Sequence, residues 1–115
     1  MENTEFIRSE AFKVAEVIEY LPNSVVIKSI IKRLTGNVSA VSFDSGELLS
    51  PKSLPFETFI QIIEGNAEVV IDDKSNLLEM GQSIIIPANS RNTIKANKKF
   101  KMLSTLIKSG YEEVS

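Results

Sequence analysis

The pattern of apolar and polar positions changes period once along this chain. Phe12 to Tyr20 reads FKVAEVIEY, with apolar side chains at Phe12, Ala15 and Ile18 or at Val14 and Val17. That spacing suits a short helix better than a strand. The residues before it form a loose polar arm, and Pro22-Asn23 breaks the helical stretch. From there the pattern is β. Val25 to Lys32 is rich in β-branched residues. Val38 to Phe43 alternates, with Val41 and Phe43 on one side and Ser42 on the other. Phe59 to Ile63 is a strand ended by Glu64-Gly65, and Ala67, Val69 and Ile71 share one face of the next. Ile84 to Ile86, Thr93 to Ala96 and Phe100 to Lys108 complete the set. Turn chemistry punctuates these runs: Gly36-Asn37, Asp44-Ser45-Gly46, a loop bracketed by Pro51 and Pro55, a polar hairpin loop from Asp72 to Asn76, and Gly81.

Many short strands at close spacing, with no long helix between them, predict an all-β fold: a small antiparallel sandwich or barrel. A βαβ arrangement needs crossover helices that this pattern does not supply. The expected organisation is an N-terminal arm with a short helix over 1–20, a barrel over 21–110 and a tail over 111–115. Phe59-Ile60-Gln61-Ile62-Ile63 and Ile84-Ile85-Ile86 are apolar on both faces. A sheet with one solvated face alternates cleanly instead. A homodimer that covers the second face is the expectation, since a twofold pair is the commonest solution.

Composition narrows the chemistry more than the fold. The 115 residues are 43% hydrophobic and 24% charged, with a net charge of −2. That excludes a disordered chain and gives no overall electrostatic footprint for nucleic acid or an anionic membrane. The basic cluster Lys98-Lys99 with Lys101 reads as a solvated turn. There is no cysteine, which removes disulfides, thiolate nucleophiles and zinc–sulfur sites. There is no histidine, which removes Ser-His-Asp and Cys-His schemes. No apolar run reaches the ~20 residues of a membrane helix, and the N-terminus lacks the apolar core of a signal peptide. The default expectation is a cytoplasmic protein.

Two groups of residues carry a resemblance. Gly46, Lys52, Leu54, Thr58 and Gly65 keep the spacing of the first motif of the cupin superfamily, and Gly81, Pro87, Asn89, Asn92 and Ala96 that of the second. The stretches IIEGNAEVVID, LLEMGQSIIIPANS and FKMLSTLI resemble small single-domain bacterial cupins of the RmlC-like type, over about residues 24–108. The resemblance implies a double-stranded β-helix, or jelly-roll barrel, usually homodimeric. In metal-binding cupins the pocket holds a divalent metal on three histidines and a glutamate. Here the corresponding positions are Lys52, Leu54, Asn92 and, for the glutamate, Thr58. Lysine repels a cation, leucine has no lone pair, and Thr58 with Asn92 is a weak neutral pair. No metal and no cofactor are expected. Asn89 replaces the family's glycine; asparagine tolerates the left-handed backbone best among non-glycine residues.

On this fold the residues facing the barrel interior near its mouth are Leu54, Thr58, Ile60, Ile62, Ile86, Asn92 and Ile94, with Lys52 in a loop beside them. Such a lining suits a small, largely apolar ligand with one or two hydrogen-bonding groups. The alternative is a core filled by its own side chains, which isoleucine and leucine at ligand positions favour. Asn92 is the strongest candidate contact. Its alternative is a hydrogen bond to Thr58 or nearby backbone. Arg91, one residue earlier, points the other way. The expected function is a metal-free, non-catalytic module that binds a small molecule or another protein. The other reading is an enzyme with a reduced polar site built from Asn92, Thr58 and Lys52.

Overall fold

The computed structural model describes residues 6–50 and 53–108. Pro51, Lys52, the start of the arm and the 111–115 tail lie outside them. The described residues carry one 3-10 turn, Val14–Glu16, and nine strands: β1 (Val25–Arg33), β2 (Gly36–Phe43), β3 (Leu48–Leu49), β4 (Glu57–Glu64), β5 (Ala67–Ile71), β6 (Lys74–Leu78), β7 (Ser83–Ile86), β8 (Asn92–Lys95) and β9 (Phe100–Ile107). They form a five-stranded sheet in the order β1-β2-β9-β4-β7 and a four-stranded sheet in the order β3-β8-β5-β6. Every pairing is antiparallel. The antiparallel all-β fold expected from the pattern, and the jelly roll implied by the resemblance, are present as two facing sheets that are not hydrogen-bonded into a closed cylinder.

The alternation in β2, β4 and β9 decides what fills the space between the sheets. Val41 and Phe43 from β2, Ile60 and Ile62 from β4, and Phe100 and Met102 from β9 are all buried in one core. From the opposite sheet come Val69, Leu78 and Ile94. Phe43 lies directly opposite Phe100 across the β2–β9 ladder, and their rings stack at 4.4 Å. A fully buried aliphatic side chain contributes about 1.5–3 kcal/mol, so this cluster dominates the stability of the barrel.

Three expectations about local structure need correction. The FKVAEVIEY stretch forms only a 3-10 turn over Val14–Glu16. Its apolar residues are held by the sheet and not by a helix: Ile18 is buried against Ile30 and Ala40 on the outer face of β1 and β2, with Val14, Val17 and Phe6 packed around them. Gly36-Asn37 is not a turn. The β1–β2 turn is Leu34-Thr35, and Gly36 and Asn37 open β2. The reason is a close approach, since a Cβ on Gly36 would stand 2.5 Å from the Leu106 carbonyl oxygen. The hairpin loop after β5 is two residues, Asp72-Asp73, both at positive φ, and Lys74–Asn76 belong to β6.

The basic cluster near β9 also divides. Lys98 and Lys99 are exposed, as expected of a solvated turn. Lys101 is buried at 8% exposure on the outer face of β9, where its ammonium donates to the Ala15 carbonyl at 2.6 Å. Tyr20 donates its hydroxyl to the Glu64 carboxylate at 2.5 Å, and Lys99 and Lys101 both lie over its ring. Ser42 and Lys28 donate to the Glu19 and Val17 carbonyls. The arm is thus fastened to the sheet by side chains that reach out from the strands.

Candidate functional site

The inward positions of the five-stranded sheet are large and apolar at one end and mostly small or polar towards the other, where Leu106 opposite Asn37 is the exception. Along β2 they run Asn37, Ser39, Val41, Phe43; along β9 they run Leu106, Ser104, Met102, Phe100. The register sets like against like: Phe43 faces Phe100, Val41 faces Met102, and Ser39 faces Ser104. Ile60 of β4 pairs with Ser104 on its other side. Two serines side by side cannot fill the volume that the phenylalanines and Val41–Met102 fill deeper in. The result is a cavity of about 190 Å³ between the sheets, at the end opposite the stacked aromatic pair.

The structure brings most of the sequence-derived candidates to that cavity. Thr58, Ile60, Ile86, Asn92, Ile94 and Leu54 all line it. Ile62 does not; it is fully buried one step deeper on β4, in the core beneath. Lys52 lies outside the described residues. The filled core favoured by the isoleucines is therefore not what forms: the core is solid around Phe43 and Phe100 and hollow around Ser39 and Ser104. Asn89 adopts φ 63° and its N–H donates to the Leu54 carbonyl at 2.6 Å, which holds Leu54 beside Pro87. Arg91 points away from the cavity, to Asp73 at 3.6 Å on the surface.

Sequence reasoning missed Asn37, Ser39 and Ser104. Asn37 was hidden by the turn-like Gly-Asn dipeptide. The two serines read as unremarkable until the β2–β9 register places them opposite each other.

The chemistry of the wall is uniform. Among the described residues that line the cavity there is no carboxylate, ammonium or guanidinium group, so no proton-transfer group with a shifted pKa faces it. Its polar side chains are Asn37, Ser39, Thr58, Ser90, Asn92 and Ser104. Ser90 donates to the Pro87 carbonyl at 2.7 Å. Asn37 Oδ1 and Asn92 Oδ1 are the buried side-chain polar atoms among the described residues that have no hydrogen-bond partner. Asn92 Oδ1 thus accepts no hydrogen bond from Thr58 or the nearby backbone. A buried acceptor left unpaired is costly, and native proteins carry few of them.

Solved structures share this architecture. A conserved protein of unknown function from Streptococcus pyogenes matches with a TM-score of 0.85 at 21% identity, over 93% of each chain. A cupin superfamily protein from Desulfitobacterium hafniense matches with a TM-score of 0.83 at 24% identity, covering 90% of this chain and 94% of that one. The chain has the cupin fold. A Cupin 2 conserved barrel domain protein from Leptotrichia buccalis is 30% identical, with a TM-score of 0.80 over 84% of this chain, which spans 47% of the Leptotrichia chain. No family model and no curated protein matches the sequence.

Leu54, Thr58 and Asn92, which the sequence resemblance sets at metal-ligand positions, stand around the cavity. The residues present do not fit a divalent metal. Among the described lining residues the polar side chains offer hydroxyl and amide groups only, whereas transition metals take imidazole or thiolate and hard cations want carboxylates among their oxygens. Among the described residues no three acidic side chains gather anywhere into a metal-binding group. No described helix is long and apolar enough to cross a membrane.

Proposed function

We propose that this cupin barrel is a metal-free, non-catalytic module that binds a small organic molecule in the cavity between its sheets. The observation that carries the reading is a cavity of about 190 Å³ with a neutral, mainly aliphatic wall. General acid–base catalysis needs a titratable group within hydrogen-bond reach of the reacting proton. Glu57 is exposed on the far side of β4 from Thr58, and Glu64 serves Tyr20 on the outer face. A screen of small organic fragments by ligand-observed NMR on the intact protein tests the proposal. Hits are expected, and Ser104→Leu, which fills the cavity, is expected to abolish them. A blank screen, or hits that persist unchanged in Ser104→Leu, overturns the reading.

The functional unit in this proposal is a homodimer paired through the outer face of β9, β4 and β7. The arm covers the outer face over β1, β2 and part of β9. Beyond it, Phe59 lies beside Ile85 on the ladder, with Ile107 nearby, and these are 40%, 58% and 46% exposed. Exposed apolar side chains clustered on a sheet face support a partner surface, with Thr105 and Glu57 interleaved among them. Analytical ultracentrifugation should give twice the chain mass for the native protein and a monomer for the Phe59→Glu, Ile85→Glu double variant. A native monomer at micromolar concentration sinks the dimer.

A further inference from the structure

We infer that the cavity selects a compact, uncharged ligand of about single-ring size whose one oxygen group, a hydroxyl or a carbonyl, is seated between the hydroxyls of Ser39 and Ser104. The inference rests on the reading of the cavity as a ligand site and names the chemical class that the site takes. Charge, size and the placement of hydroxyl groups carry it.

Charge and size set the outer limits. No charged side chain lines the cavity among the described residues. An ion moved into such a space loses its hydration and meets no counter-charge from those residues, so desolvation disfavours ionic ligands. An apolar cavity of about 150 Å³ accepts benzene, and drug-sized ligands take about 300 Å³ or more. A cavity of about 190 Å³ lies between them, nearer the single ring.

The hydroxyls set the ligand's polar group. Ser39, Ser104 and Thr58 project inward from β2, β9 and β4, three adjacent strands of the five-stranded sheet, and all three line the cavity. Their side chains make no hydrogen bond to another described residue, and none is among the unpartnered polar atoms that are closed to water. Their hydroxyls are therefore open, and on the inner face of these central strands the space they open onto is the cavity. Asn37 and Asn92 differ, because their carboxamide oxygens are closed to water and present no acceptor there. From the facing sheet, Leu49 and Ile94 line the cavity with hydrocarbon. The open hydroxyls thus lie on one wall. Ser39 stands directly opposite Ser104 on the β2–β9 ladder. Residues so paired hold their Cβ atoms roughly 5 Å apart, which lets one ligand oxygen touch both hydroxyls. Thr58 is one step removed, diagonal to Ser104. A hydroxyl both donates and accepts, so the serine pair receives an O–H or a C=O alike. A ligand oxygen replaces the hydration of both serines, whereas a hydrocarbon of the same shape removes it without replacement.

The experiment uses two matched pairs of single rings, titrated by NMR and calorimetry on the intact protein at neutral pH. Phenol and toluene differ by O–H against methyl; benzamide and benzoate share a shape and differ in charge. Phenol, toluene and benzamide are expected to bind, and benzoate is not. The decisive variant is Ser39→Ala with Ser104→Ala, which removes both hydroxyls and leaves the cavity open. It should keep toluene and lower the ratio of phenol to toluene affinity about tenfold, on the scale of one or two net hydrogen bonds. Either single alanine variant serves if the double variant does not fold, with a smaller drop in the same ratio. If the native protein takes toluene and refuses phenol, or the ratio is unchanged in the alanine variants, recognition by Ser39 and Ser104 is overturned and the ligand-site reading stands. If benzoate binds as well as benzamide, the requirement for an uncharged ligand is overturned. If no ring binds the native protein, this inference falls; the fragment screen with Ser104→Leu then decides separately whether the broader reading falls with it.

Discussion

Gly65 answers two constraints at one position. Its φ of +78° lies in the left-handed region, and a Cβ there would stand 2.8 Å from the Lys99 carbonyl oxygen. Gly65→Ala should therefore cost about 2 kcal/mol or more, combining backbone strain with a contact that cannot relax cheaply; urea unfolding measures it. Asn89, at φ 63° with its side chain free of any such demand, should tolerate glycine within about 0.5 kcal/mol in the same assay. Both left-handed positions were legible in the sequence, because a turn's backbone requirement is local. Gly36 was misread because its requirement is not local. What excludes a side chain there is the Leu106 carbonyl on a strand near the other end of the chain. Asn37 was lost with it, and with Asn37 one of the two unpaired buried side-chain oxygens beside the site. Asn92 was found because a framework of glycines and prolines around it fixes its place on the strand.

At the scale of elements, the N-terminal arm shows how a helical spacing can be used without a helix. Val14, Val17 and Ile18 make their apolar contacts against a sheet, and a sheet surface accepts any conformation that presents the right side chains. Periodicity alone could not report this, because the partner face is supplied by strands that follow in sequence. The clasp around Tyr20 gives the docking a pH signature. Burial above all, then the hydrogen bond to Glu64 and the charge of that carboxylate, push the Tyr20 hydroxyl well above its ordinary range. The folded state therefore binds this proton more tightly than the unfolded chain does. The stability supplied is complete below the unfolded value of about 10 and is lost as pH rises from there towards the folded value. Unfolding midpoints in urea from pH 7 to pH 11 should fall more steeply for the native protein than for Tyr20→Phe, which keeps the ring beneath Lys99 and Lys101. Parallel curves for the two proteins would mean that the hydroxyl contributes nothing to docking.

At the scale of the molecule, seven of the nine described strands and the solid half of the core follow from the alternation of the sequence, whereas the short β3 and the polar β6 do not. The hollow half does not. Whether a small barrel is filled depends on which short side chains meet, and Ser39 meets Ser104 only through the β2–β9 register. Ser39→Val with Ser104→Val should raise thermal stability by about 1–2 kcal/mol through filled volume. The same pair should remove ligand binding, so stability and binding would move in opposite directions. Among the described residues the two sheets also end in four unpaired margins, since β1 and β7 flank one and β3 and β6 the other. Open margins invite strand-to-strand growth into fibres. Here β1 carries Lys28, Lys32 and Arg33 and is bent by an irregularity between Ser29 and Ile31, while β3 and β7 are only two and four residues long. Lateral addition is thereby discouraged on both flanks of the larger sheet, and what remains open to the proposed homodimer is contact between flat faces, a mode that closes on itself instead of growing into a fibre.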